Sequence, residues 1–449
     1  MIVVSDVAAR RRASYGPTSP TVGERGARTR ERIVTETLAL FSKIGFHETT
    51  VRDISEAAQI SRATLYQYFE SKDEIFVELL DECGGALLRV VRRAGPLGPT
   101  DEGFENLKRW LADWSEVYSK YGTLFVQWAN VDAPGTSVRP LVSNFLRTYN
   151  LRIASRFRKS GLTGMDFREA AIVTTCVVHR FNHLRHALPP AAAPSYEAIE
   201  DIAIVLQMIL FPSTPVSVLG RSPVPTSRRR KRLAAPPAAQ SASAKLEGLT
   251  SRSAATVGQI MQAGARCFAE SGYHGANVDD IVRCAGFARG TFYKYFDEKL
   301  DLLLALSEEC EANLYDLIVR FTDIPPAIES SQARREWIEE YLDFRAVYSG
   351  VMHAWIDRSP RAPALDDARK RTAKLIHESL DLLLGAGRLA GVVTAPAADT
   401  LLTGVLERLP DAIVDNRHRV RREQIVELIA TVIERGLFDL DIHAQDESA

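Results

Sequence analysis

The sequence predicts an all-α protein made of two tandem copies of one unit, each a three-helix helix-turn-helix domain followed by a larger helical domain. Three observations carry this. A stretch beginning at Phe41 recurs at Phe268, and the 227-residue offset holds without a gap as far as Trp128 and Trp355. Apolar residues recur at helical spacing through both copies, with no convincing strand alternation. At 449 residues the chain is also too long for one ordinary core, because domains run roughly 100 to 200 residues.

The first helix is expected from Thr29, where Ile33, Thr37, Leu40 and Phe41 fall at i, i+4, i+7 and i+8 and form one packing stripe. Gly45 ends it. Thr50 is placed to cap a second helix through its hydroxyl, with Val51, Ile54 and Ala58 as the buried face; in the second copy Asn277 takes the cap and Val278, Ile281 and Ala285 the face. The turn Gln59-Ile60-Ser61 then leads into a third helix. There Leu65 and Phe69 point inward and leave Arg62, Thr64, Tyr66, Gln67 and Tyr68 outside, a helix-turn-helix pattern. Beyond Lys72 helical periodicity continues, and Ile202, Leu206, Leu210 and Phe211 correspond to Ile429, Ile433, Leu437 and Phe438 near the two ends.

These signals divide the chain into a basic tail (1–28), a first small domain (29–75) with its helical domain (76–212), a linker (213–252), a second small domain (253–303) with its helical domain (304–441), and an end tail (442–449). The linker is rich in Pro, Ala, Ser and Arg and lacks aromatics, so it buries too little surface to order itself. Its reach is about 35 Å, enough to let the units pair within one chain. The net charge is −1, yet residues 1–32 carry seven Arg against Asp6, Glu24 and Glu31, and the linker carries eight Lys or Arg against Glu247 alone. Positive charge is therefore concentrated just before each copy. The runs Arg10-Arg11-Arg12 and Arg228-Arg229-Arg230-Lys231-Arg232 suit phosphate or minor-groove contact.

The paired segments are specific. A first helix ending Phe-x-x-x-Gly-Phe/Tyr, a capped Thr/Asn-Val-x-Asp-Ile-x-x-x-Ala, and a third helix (Ser/Ala)-Arg-x-Thr-(Leu/Phe)-Tyr-x-Tyr-Phe-x-x-Lys resemble the DNA-binding domain of TetR-family transcriptional regulators. The resemblance implies a third helix that enters the major groove and a later helical region for ligand binding and dimerisation. One departure is Gln59, where the family has Gly and the second copy has Gly286; a left-handed backbone there costs Gln about 1 kcal/mol. Planar or short polar side chains suit base edges, so Arg62, Thr64 and Gln67 in the first head, and Arg289, Thr291 and Lys294 in the second, are candidate base contacts. By the resemblance, Tyr66, Tyr68, Lys72, Tyr293, Tyr295 and Lys299 are phosphate contacts, and the caps Thr50 and Asn277 are phosphate seats. Gln67 against Lys294, and Ala63 against Gly290, make the heads prefer different bases, hence an imperfectly palindromic double-stranded DNA operator.

The resemblance further implies a repressor released by a small hydrophobic effector. Trp110, Trp114, Tyr118, Tyr121, Phe125 and Trp128, with Trp337, Tyr341, Phe344, Tyr348, Met352 and Trp355, either line its pocket or form core. Cys176, His179, His183 and His186 share one helix face; Thr403, Leu406, Pro410 and Ile413 replace them in the second copy, so helix packing or a dimer interface is preferred to a metal site. The five cysteines form no CxxC pair and read as apolar fillers in a reducing compartment. No cofactor is expected. Walker, GxSxG and HExxH motifs are absent, which argues against an enzyme. The start lacks a signal-peptide pattern and no apolar run is long enough to span a membrane, so a cytoplasmic protein is expected. The chain would work as an intramolecular pseudo-dimer or as a homodimer with four heads. The alternative to a regulator is a protein-interaction scaffold that has lost DNA reading in one or both copies.

Overall fold

The computed structural model describes residues 23–46, 48–131, 139–187, 196–221, 248–357, 360–386, 389, 391–416 and 420–440. Among them are sixteen α-helices and no strands. The first unit comprises α1 (Glu24–Ile44), α2 (Val51–Ala57), α3 (Arg62–Tyr68), α4 (Lys72–Arg93), α5 (Asp101–Val131), α6 (Arg139–Phe157), α7 (Phe167–Ala187) and α8 (Tyr196–Leu210). The second repeats the order with α9 (Ser251–Gly275), α10 (Val278–Ala285), α11 (Arg289–Tyr295), α12 (Lys299–Asp323), α13 (Ser331–Asp357), α14 (Pro363–Ala386), α15 (Ala395–Asn416) and α16 (Arg422–Phe438).

Each small domain is built on the apolar stripes of its first three helices. Ile33, Phe41, Ile54, Leu65 and Phe69 are buried together, as are Ile260, Phe268, Ile281, Phe292 and Phe296. Glycine interrupts the helical path at the same place in both: Gly45 follows α1 with φ 92°, and its counterpart Gly272 kinks α9 with φ 67°. The expected boundary between small and large domains falls inside α4 in one unit and α12 in the other. One continuous helix thus joins head to body.

Two expected boundaries shift. Helix α1 begins at Glu24, inside the expected tail, and α9 begins at Ser251, inside the expected linker, because Thr250 caps it by accepting from Ser253 N–H at 3.3 Å. At the other end of the linker Val216–Leu219 forms a 3-10 turn, and Arg221 is held by Asp201 at 2.6 Å. The remaining tails, the rest of the linker and both basic runs lie outside the described residues. No described helix is long and apolar enough to cross a membrane.

The units meet along α7 and α8 of the first and α15 and α16 of the second, and α7 against α15 is the most extensive helix pair among the described residues. Residues at equivalent positions of the two copies face each other there, as they do about a two-fold axis. A Cβ on Gly404 would lie 3.3 Å from the Cα of Val177, its counterpart; one on Gly436 would lie 3.0 Å from Ile209, its counterpart. Arg180 and its counterpart Glu407 also attract one another. Across this seam Arg180 Nε donates to Thr403 Oγ1 at 3.0 Å, Thr394 donates to Asp201 at 3.0 Å, and the buried Arg435 donates to the carbonyls of Thr163 and Ile209.

Candidate functional site

The same turn joins the second and third helices of each small domain. Gln59 N–H donates to Glu56 O at 3.1 Å and Ile60 N–H to Ser55 O at 3.0 Å, matched by Gly286 to Arg283 O at 3.2 Å and Phe287 to Val282 O at 2.9 Å. Such a closure needs a left-handed residue. Gly286 supplies it at φ 75°, and Gln59 adopts φ 52° against its steric preference. Before the turn, Thr50 Oγ1 accepts from Asp53 N–H at 3.2 Å while Asp53 accepts from Thr50 N–H at 2.9 Å. Hydrogen bonds from the Thr50 hydroxyl and amide hold the Asp53 carboxyl below its ordinary pKa. Asn277 Oδ1 likewise accepts from Asp280 N–H at 2.9 Å. Both expected phosphate seats therefore engage their side chains with their own helices.

The outward faces of α3 and α11 differ in more than base-reading residues. Arg62, Tyr66 and Gln67 are exposed, with Thr64 and Tyr68 half-buried. The Thr64 hydroxyl lies 2.8 Å from that of Ser61, the N-cap of α3. In the second head Arg289, Tyr293 and Lys294 are exposed and Thr291 is half-buried, but Ala288 gives α11 no side-chain cap. Arg289 is tied to Asp279 at 3.3 Å and to the Tyr293 hydroxyl at 3.2 Å. The residue equivalent to Asp279 is Arg52, which pairs with Glu56 at 2.7 Å, so Arg62 has no ion-pair partner among the described residues.

Three of the expected phosphate contacts turn inward. Lys72 Nζ donates to Phe46 O at 2.7 Å and Thr49 O at 3.0 Å, over the Phe46 ring. Lys299 Nζ donates to the equivalent carbonyls of Tyr273 and Ala276, at 2.5 and 2.7 Å, over the Tyr273 ring. Each ammonium latches the segment after the first helix, and burial lowers both lysine pKa values. Tyr295 is only 4% exposed, its hydroxyl beside Ser253 of α9, so it packs the small domain. The first head has Gly26 where Ser253 stands, and Tyr68 there stays half-buried.

The aromatic stripes separate into core and cavity wall. In the first unit Trp110, Trp114, Tyr118, Tyr121 and Phe125 are buried, and Tyr118 lies face to face with Phe125 at 4.5 Å, with Trp114 stacked on both. His179 packs on this stack, its pKa held well below the ordinary value by burial, and His183 lies 3.5 Å from the Tyr118 hydroxyl. The histidine face is thus interior packing next to the seam. The side chains of Trp128 and His186 lie outside the described residues. In the second unit Trp337, Tyr341, Met352 and Trp355 line a cavity of ≈ 480 Å³ that α7 and α8 of the first unit help to close. Phe344 and Tyr348 are buried beside it without lining it. Cys83, Cys176, Cys267 and Cys310 are buried free thiols, and burial pushes Cys83 and Cys176 up to about 12.

Both heads match the family described as bacterial regulatory proteins, tetR family, over residues 33–79 and 260–306, which are themselves 227 apart. The chain carries two tetR-family domains in tandem. Over 176 residues the chain is 24% identical to the HTH-type transcriptional repressor AcnR of Corynebacterium diphtheriae, covering 38% of the chain and 87% of that relative. It is 28% identical over 99 residues to the biofilm operon icaADBC negative regulator IcaR of Staphylococcus epidermidis, covering 22% of the chain and 52% of the relative. It is 30% identical over 87 residues to the transcriptional activator FasR of Mycolicibacterium smegmatis, covering 19% of the chain and 39% of the relative. The last two alignments span about half or less of the relatives' lengths. The matched domain and these relatives belong to transcription regulators, and the two domains make the chain a DNA-binding regulator rather than an enzyme.

Position-by-position comparison of the copies also exposes residues that helical periodicity overlooks. Asp279, which holds Arg289, stands opposite Arg52; Arg345 stands opposite Tyr118; Gly404 and Gly436 stand opposite Val177 and Ile209.

Proposed function

We propose that the two units act as one intramolecular pair, a repressor whose unequal heads occupy the two halves of a single imperfectly palindromic operator. The observation that carries this reading is the pairing of unlike counterparts at the seam. Val177 fits against Gly404, Ile209 against Gly436, and Arg180 is drawn to Glu407. Two first units paired alike would set Val177 on Val177 and Arg180 near Arg180, and two second units would leave a void and oppose Glu407 to itself. Crowding, voids and like charges all disfavour those pairings. The seam thus favours the joining of unlike units over a homodimer with four heads.

On DNA, Arg62, Thr64 and Gln67 of one head, and Arg289, Thr291 and Lys294 of the other, are assigned to base edges. Tyr66, Tyr68 and Tyr293 are assigned to phosphates. Half-sites would then lie in successive major grooves, roughly 34 to 36 Å apart. Arg289 must leave Asp279 to reach a base, so the second head contributes less affinity per contact. A small, largely apolar ligand bound in the second unit shifts the population toward a head spacing that releases DNA.

Selection of genomic fragments on the purified chain, followed by footprinting, tests the reading. An imperfect palindrome protected over both halves is expected, with Arg62→Ala weakening binding more than Arg289→Ala. Binding to no genomic fragment would leave the scaffold alternative standing instead.

A further inference from the structure

We propose that the effector site of the pair is single: one amphipathic organic anion per chain, its apolar body in the second-unit cavity, its acceptor head at Arg369 and Thr372, and one wall supplied by the first unit. The effector-release reading above gives the site its regulatory meaning, but the site itself rests on geometry.

Two side chains beside this cavity differ between the units. Tyr118 and Phe125, which stack face to face in the first unit, correspond to Arg345 and Met352 in the second. Arg345 turns away to Asp411 and to the carbonyl of Glu407, and Met352 is left on the cavity wall. Removing one ring and replacing another by a flexible thioether opens the space that the stack fills in the first unit. At ≈ 480 Å³ it lies within the range of small-molecule sites, roughly 300 to 1,000 Å³.

The head group follows from two buried polar atoms on α14 that lack hydrogen-bond partners among the described residues, while the other end of the Arg369 guanidinium reaches Asp366 at 3.5 Å. Arg369 Nε and Thr372 Oγ1 are one helical turn apart, both residues line the cavity, and Thr372 is 9% exposed. A buried donor without a partner is costly, so a site that keeps two of them is built for an acceptor. The carboxylates on the same walls are already engaged or disfavoured as charges. Asp201 is held by Arg221 and Thr394, Glu407 accepts the Tyr341 hydroxyl, and burial raises the pKa of both Asp399 and Glu407. Arg180, reaching in from the first unit, adds a further positive charge.

The position of the cavity also gives an occupant a direct line to one head. Met352 lies two residues beyond Gly350, where a Cβ would stand 2.4 Å from the backbone of Phe268 in α9. Helix α9 runs closely along α13, whereas α1 meets α5 over a shorter stretch. Displacement of α13 by a ligand therefore reaches the second head first.

The test uses the full chain and two probes with a similar aromatic body: the anion 8-anilinonaphthalene-1-sulfonate and the neutral N-phenyl-1-naphthylamine. Calorimetry and fluorescence should give one sulfonate probe per chain, bound at least tenfold more tightly than the neutral probe. Thr372→Val and Arg369→Leu should weaken the sulfonate probe about tenfold while leaving the neutral probe within twofold. The filling pair Arg345→Tyr/Met352→Phe should abolish both, and Met352→Phe alone, the milder change, should weaken both. Two probes per chain, equal affinity for both probes, or indifference to Thr372→Val and Met352→Phe would overturn the proposal. A separate arm measures operator affinity with the sulfonate probe bound. Unchanged affinity there would count against ligand-driven release while leaving the single site intact.

Discussion

The two units share one backbone plan yet solve the same packing problems with different chemistry. Where the first unit joins α1 to α4 through an ion pair between Arg30 and Glu78, with Arg30 stacked 4.5 Å over Phe69, the second has Val257 and Ala305, both buried. Where the first fills its body with Tyr118 and Phe125, the second carries Arg345 and Met352 and encloses a cavity. Where the first leaves Arg62 without an ion-pair partner among the described residues, the second ties Arg289 to Asp279. At Arg30/Glu78 and at Tyr118/Phe125 both members of the contacting pair differ between the units, whereas at the reading face only the partner differs, Arg52 against Asp279. The contrast points to a division of labour in which the first unit is the more rigid reader and the second the responsive half.

The largest expected effect comes from breaking a pair in one unit only. Arg30→Ala leaves Glu78 partly buried without its partner and should cost about 3 kcal/mol in urea unfolding. The double change Arg30→Val/Glu78→Ala, which copies the second unit, should recover most of that loss. A double variant as unstable as the single one would show that the two heads are not interchangeable in their packing.

The seam is next. Gly404→Val places a methyl-bearing carbon against the α7 backbone and should cost about 2 kcal/mol. Adding Val177→Gly exchanges the two counterparts and should return part of it, less the helix penalty of the new glycine. No recovery would mean that close approach at Gly404, rather than the pairing of unlike counterparts, sets the seam.

A smaller effect separates the bodies by pH. His353 lies where the first unit has Val126, and burial, reinforced by Arg408 and Arg345 and opposed by Asp411, lowers its pKa to about 4. It stays neutral when folded and gains a proton when unfolded below its ordinary pKa of 6.5, so its contribution to stability declines as pH falls from 6.5 towards 4. His353→Gln should flatten the acid limb by up to one proton, about 1.4 kcal/mol per pH unit. Unfolding curves at successive pH values check this.

The smallest change concerns the turn. Gln59→Gly relieves the left-handed backbone and should stabilise the first head by about 1 kcal/mol, while Gly286→Gln should cost the second about as much. Thermal unfolding would detect either shift.

Much of this was legible in the residues alone. Helical spacing located the stripes of Ile33 and Phe41 and of Leu65 and Phe69, and the contrast of Gln59 with Gly286 announced the turn strain. Periodicity says which face is buried but not which partner it meets. Outward spacing therefore suggests Lys72 and Lys299 as phosphate contacts, although carbonyls 26 and 23 residues earlier in the chain accept from their ammonium groups. The burial of Tyr295 is hidden from periodicity for the same reason, since its neighbour Ser253 lies on another helix. The cavity was legible only in part: the stripe flags Trp337 and Met352, but the contrast of Arg345 with Tyr118 is seen only when the copies are compared residue by residue.

The central claim is that one chain supplies both halves of the operator-binding pair. It is tested most directly by native mass measurement of the chain on a selected operator duplex, with each half-site altered in turn. One chain per duplex is predicted, with alteration of the half read by Arg62 costing more affinity than alteration of the half read by Arg289. Two chains per duplex, with both halves read alike, would contradict the account.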